Sequence, residues 1–98
     1  MAVSIATRWM APNISATTEI AKRAKAMWTK HGAQDVRLSQ IFTGQFTGQI
    51  ILVIVFADMA AYAKTAASAA TELEQILAQV AKVGSVLQER TVLVGIDL

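Results

Sequence analysis

Three side chains of this 98-residue chain combine a reactive type with a constrained setting: Arg8, His31 and Tyr62. Arg8 stands among apolar neighbours in the stretch Val3–Met10, where a guanidinium needs a carboxylate, backbone carbonyls or an anionic ligand. Glu89 is the carboxylate expected to pair with it. Arg90, next along the chain, points to the opposite face and is a second candidate for holding an oxygen. His31 is the only histidine. It falls on the apolar side of a helical stretch, at the C-terminal end where a helix favours imidazolium. It either carries a proton to a ligand or simply closes its helix beside Gly32. Tyr62 has a hydroxyl that must find a partner if buried. If Arg8, His31 and Tyr62 converge on one cavity, they have the means to polarise an oxygen and carry a proton without a cofactor. Trp9, Trp28, Phe42 and Phe56 are either core or the walls of a site for a flat apolar ligand. Gln40 is a polar candidate on an otherwise apolar strand face.

Local patterns predict the elements that position these groups. Val3–Met10 mixes β-branched, small and aromatic residues and stops at Pro12-Asn13, as a strand ended by a turn does. From about Ser15 the period becomes helical, with Ile20, Ala24, Met27, Trp28 and His31 recurring at spacings of three and four. Ser15 is the expected cap, Glu19 complements the helix start, and Gly32 supplies a left-handed ending. Residues 35–42 alternate as a strand, with Val36, Leu38, Gln40 and Phe42 on one face. Residues 43–48 contain two glycines and predict a hairpin connection. Residues 49–57 form an apolar strand rich in Ile and Val, without alternation, which predicts burial of both its faces.

Asp58 then caps a second helix whose apolar face carries Met59, Tyr62, Ala66, Ala70, Leu73, Leu77 and Val80. A bend is expected near residues 66–70, and Gly84 is expected to end the helix. A last strand covers residues 86–96. The order β-α-β-β-α-β predicts a ferredoxin-like α+β domain over residues 1–98. Its four-stranded antiparallel sheet carries both helices on one face, with the first and third strands central.

Composition supports a covered sheet. Hydrophobic residues make up 54% of the chain and charged residues 16%, against roughly 45–50% and 25% in ordinary globular chains. A domain this small buries only about two-thirds of its surface. The surplus therefore predicts a homodimer through the helix-free sheet face, a ligand pocket, or both. With no cysteine there is no disulfide framework or zinc-thiolate site, and a cytoplasmic setting is expected. The start of the chain lacks a signal-peptide pattern, and no apolar run approaches the ~20 residues of a membrane span.

The net charge of +2 is slight. Lys22, Arg23, Lys25 and Lys30 lie on a helix, while the third strand lacks the aromatic residues of an RNA-binding sheet, so no nucleic-acid partner is expected. No cofactor, metal, phosphate-loop or nucleophile motif is expected either.

Three stretches carry a family resemblance: His31-Gly32-Ala33 leading into Val36-Arg37, the hairpin at 44–48, and Phe56-Ala57-Asp58-Met59-Ala60-Ala61-Tyr62. With the element order over the whole chain, they resemble the dimeric α+β barrel superfamily. That group includes NIPSNAP-like proteins and antibiotic-biosynthesis monooxygenases. The resemblance implies two sheets packed face to face and a pocket between sheet and helices or at the barrel mouth. Members of such a group range from cofactor-free oxygenases and isomerases to haem proteins and binding proteins, so fold transfers and function does not. In a haem protein His31 would be the axial ligand, a reading that no other residue supports. The preferred expectation is a small protein with a pocket for a compact apolar or aromatic ligand. The alternative is a cofactor-independent monooxygenase or isomerase acting on an aromatic, polyketide-like compound, and a regulatory ligand-binding module is a third, weaker reading.

Overall fold

The computed structural model describes residues 1–98 as β1 (Val3–Met10), α1 (Ile14–His31), β2 (Asp35–Gln40), β3 (Ile50–Phe56), α2 (Met59–Lys82) and β4 (Val86–Val94). The sheet is antiparallel throughout with strand order β2-β3-β1-β4. This is the ferredoxin-like α+β arrangement.

Strand period two sorts the sheet into faces. Val3, Ile5 and Thr7 of β1 lie beside Phe56, Ile54 and Leu52 of β3, and this face meets the helices. Val3, Ile5, Ile54 and Phe56 form the core with Ala24, Met27 and Trp28 of α1, Val36 of β2 and Ala69 of α2. Phe56 has no exposed surface, and its ring meets Trp28 edge-on at 6.0 Å and Tyr62 at 5.3 Å. The opposite face carries Ala6 and Arg8 beside Val53 and Ile51. Ile51, Val53 and Val55 are half-buried there although no helix covers them.

Several element ends differ from the sequence expectation. Asn13, not Ser15, caps α1: its side chain accepts the Ala16 N–H at 3.0 Å, which leaves Ser15 exposed in the first turn. Glu19 lies beyond that turn and pairs with Lys22 at 2.9 Å. β2 stops at Gln40, two residues early, because residues 41 and 49 already close the hairpin, the Ile41 N–H donating to Gln49 O at 2.8 Å.

The second helix runs unbroken through residues 66–70, since alanine is the best helix former and Ser68 finds a side-chain partner. Its N-cap is Asp58, as its type predicts, accepting the Ala61 N–H at 2.7 Å. Val83 occupies its C-cap, and Gly84 follows in the left-handed region at φ +82°. The last strand ends at Val94 rather than residue 96.

Between Arg8 and Trp9 the β1–β4 register slips: Arg8 faces Glu89, but Trp9 faces Leu87. Gln88 is therefore an extra residue, a β-bulge. In an even strand Leu87 and Arg90, three apart, would point to opposite faces. The bulge turns both toward the helices.

Candidate functional site

A cavity of about 240 Å³ lies between the helix-facing side of the sheet and the two helices. The sheet supplies its floor from Ile5, Thr7 and Trp9 of β1 and the even-numbered residues of β3. Ile20, Ala24 and Trp28 of α1 form one wall, and Tyr62, Ala66, Leu73, Ile76, Leu77 and Val80 of α2 form the other. It exists because α2 packs down closely only at its buried residues Thr65, Ala69 and Val80. The two helices and the floor do not close on each other.

Almost all of the lining is apolar, and most of its polar atoms are already engaged in the wall. Trp9 Nε1–H donates to Thr7 Oγ1 at 2.8 Å, and Thr7 Oγ1–H donates to Leu52 O at 3.2 Å. Thr17 Oγ1–H donates to Asn13 O at 2.9 Å, so the 2.8 Å bond between Thr17 and Ser85 takes its hydrogen from Ser85. One polar pair remains. Arg90 reaches across from β4 and donates to the Tyr62 hydroxyl, with its guanidinium carbon 5.9 Å from the Tyr62 ring centre. A guanidinium has five N–H donors, so Arg90 keeps capacity for a ligand oxygen.

The sequence candidates separate into four places. Tyr62, Trp9, Trp28 and Arg90 line the cavity. Arg8 does not: it lies on the helix-free face, where it donates to Gln49 Oε1 at 2.5 Å, stacks over the Phe46 ring at 3.5 Å and approaches Glu89 at 3.9 Å. The expected Glu89 pair is present, but Gln49 and Phe46 are the closer partners.

His31 is also away from the cavity. It points to α2, where Nδ1 meets Ser68 Oγ at 2.5 Å and Nε2 meets Glu72 Oε1 at 2.7 Å. Glu72 also accepts from Lys30 Nζ at 3.0 Å. The His31 hydrogen bond, then the Lys30 one, hold the Glu72 carboxyl below its ordinary pKa. Thr65 Oγ1 donates to His31 O at 3.1 Å, so the end of α1 is fastened to the middle of α2.

Gln40 and Phe42 leave the expected set altogether. Gln40 Nε2 donates to Gly48 O at 3.2 Å across the hairpin, and Phe42 is 89% exposed because it lies beyond the end of β2. Arg8, His31 and Tyr62 thus diverge, and no histidine or carboxylate lines the cavity.

What sequence reading missed was mostly long-range. Phe46 sits in a loop that gave no hint of folding back over Arg8. Ser68 and Glu72 are one helical turn apart and face α1 only once the helices pack. Leu73, Leu77 and Val80 of the α2 wall were legible, since they follow helical spacing, whereas Ile76 was not among the residues expected there.

No family model matches the chain, and no curated protein matches it. Solved structures do share its architecture. SnoaB, a cofactor-independent oxygenase from Streptomyces nogalater, is 12% identical with a TM-score of 0.78, over 99% of this chain and 95% of that one. A monooxygenase candidate from Shewanella loihica is 17% identical with a TM-score of 0.67, over 99% and 96%. Rv0793 from Mycobacterium tuberculosis is 20% identical with a TM-score of 0.61, over 100% and 98%. At these identities the likeness is one of fold: the chain shares the ferredoxin-like α+β fold of these structures along its whole length.

Proposed function

We propose that this protein binds a compact, largely aromatic ligand in the cavity between its sheet and helices. The observation that carries the reading is the cavity itself, an apolar chamber whose one uncommitted polar group is the Arg90–Tyr62 pair. Its 240 Å³ falls just below the ~300–1,000 Å³ of pockets for drug-sized molecules, which favours a small fused-ring compound. Apolar walls supply affinity, and the guanidinium fixes orientation by holding a carbonyl, phenolate or enolate oxygen.

The protein acts as a homodimer in this reading. Ile51, Val53 and Val55 of β3 are half-buried on the helix-free face, and across β1 on the same sheet Leu93 of β4 is 51% exposed. A second copy of this sheet would cover them and leave the cavity accessible from the helix side.

The test is binding of a naphthol and naphthoate series, followed by tryptophan fluorescence, since Trp9 and Trp28 both line the cavity. Arg90→Leu is expected to weaken binding of the oxygen-bearing members roughly tenfold or more while leaving naphthalene itself unaffected, as loss of a charge-assisted hydrogen bond does. Equal affinities across the series in both proteins would overturn the orientation role. No binding at all would overturn the pocket reading.

A second reading is a cofactor-independent oxygenase. It is favoured by the likeness to SnoaB and by Arg90 standing where an enolate oxygen would be stabilised. In such a reaction dioxygen oxidises a reduced aromatic ketone to a quinone, one oxygen atom entering the ring and the other leaving as water. Since no carboxylate or histidine lines the cavity, the substrate would have to lose its proton to solvent or to a weak base. Oxygen uptake with anthrone, above the uncatalysed rate and lost in Arg90→Leu, would establish it.

A further inference from the structure

A second cavity of about 200 Å³ opens between α1 and β2, lined by Thr18, Ala21, Lys22, Lys25, Val36, Leu38 and Leu52. Ala21, Leu38 and Leu52 also line the main cavity. Leu38 and Leu52 are directly opposed across β2 and β3, so one cross-strand pair and one alanine methyl form the partition. Leu38 and Leu52 are both half-buried, and leucine rotamers reorient far faster than binding occurs.

The two cavities differ in charge. No ionisable group lines the α1 side of the main one, whereas the second carries two exposed lysines and no carboxylate. Lys22 is shared with Glu19 at 2.9 Å; Lys25 makes no ion pair, although its charge acts through space on the Asp35 carboxyl that binds Arg37. A cleft lined by one sign of charge over apolar walls concentrates ions of the opposite sign and speeds their arrival.

We infer that this second cavity is the entrance to the main one and selects apolar ligands that carry an anionic group. The anion rests at Lys22 and Lys25 while the ring system passes Leu38 and Leu52 into the chamber. This deepens the proposed ligand-binding function and rests on it. The ligand class becomes an aromatic or otherwise apolar acid, with its charge at the α1–β2 end and any further oxygen at Arg90.

The matched probes are N-phenyl-1-naphthylamine and 8-anilino-1-naphthalenesulfonate, which share a ring system and differ by the sulfonate. The intact protein is expected to bind the sulfonate with an on-rate roughly tenfold higher at low salt, falling steeply as salt is added. The double variant Lys22→Gln/Lys25→Gln is expected to remove that advantage and leave the neutral probe unchanged. Ala66→Phe, which fills the main chamber, is expected to abolish binding of both.

Equal on-rates for the two probes, or an advantage that survives the lysine changes, would overturn the inference while the chamber still bound the neutral probe. Sulfonate binding that persists in Ala66→Phe would overturn it too, by placing the probe outside the chamber. Failure of both probes to bind the intact protein would overturn the chamber reading and this inference together.

Discussion

His31 is the residue whose environment most changes its meaning. As the single histidine it invited a catalytic role, yet both ring nitrogens are spent on Ser68 and Glu72 of the neighbouring helix. Its work is to fasten one helix to another. The consequence is measurable through Glu72, whose carboxyl is held below its ordinary 4.5 by His31 and then Lys30. A depressed carboxylate stabilises the fold fully above its unfolded pKa, and that contribution is lost as pH falls through the folded one. The thermal midpoint of the native protein should therefore exceed that of Glu72→Gln at neutral pH, by a small margin because the group is exposed. The gap should close in acid, below 4.5; a gap independent of pH would show that the carboxyl contributes no such stability.

Arg8 teaches the same lesson from the other face. Its residue type announced a buried charge in need of a partner, and Glu89 was legible as a partner because the two strands had to pair. Gln49 and Phe46, which hold it more closely, were not legible. Their positions follow from how the hairpin at residues 41–49 folds over the sheet, which no local pattern encodes.

At the scale of elements, strand and helix positions were readable because their causes are local. Asp58 caps α2, alternation marks β2, and the unbroken run of β3 marks a central strand. Ends and irregularities were less readable, since tertiary contacts decide them. The bulge at Gln88 is the clearest case. It follows from the fit of β4 against β1, and without it Leu87 and Arg90 would not share the cavity side.

The junction of α1 and β2 gives an element-scale prediction. Gly32 has φ +125°, and a Cβ there would stand 2.9 Å from Thr65 Oγ1, the atom that bonds His31 O. Gly32→Ala should cost on the order of 1–3 kcal/mol, through backbone strain and loss of that bond. An unchanged urea midpoint would contradict it.

For the whole molecule, the distribution of apolar surface matters more than its amount. Val86, Leu87, Val92, Leu93 and Val94 of β4 are each 40% exposed or more, on an edge strand with one unpaired side. Such an edge is a template for association unless something covers it. A stable dimer needs roughly 1,200–2,000 Å² of buried surface, and in the proposed dimer the helix-free face and β4 would supply it. Light scattering at micromolar concentration should give twice the 10.5 kDa chain mass. Val53→Lys, in the middle of that face, should give the single mass with a lower and less concentration-dependent melting point. A monomeric native protein would remove the dimer from the proposal.

The chamber has a mechanical consequence as well as a chemical one. Its 240 Å³ is lined by groups that offer water few hydrogen bonds, so filling it with solvent gains little. Unfolding eliminates such space, and pressure favours whichever state occupies less volume. Whatever part of the chamber stays dry is lost on unfolding, so the unliganded protein should unfold at lower pressure than the liganded one. A bound aromatic molecule would take up that space and stiffen the fold against compression. High-pressure fluorescence could then report occupancy of the chamber before any reaction is known, and ranking compounds by the pressure they make the protein withstand would be a route to the natural ligand.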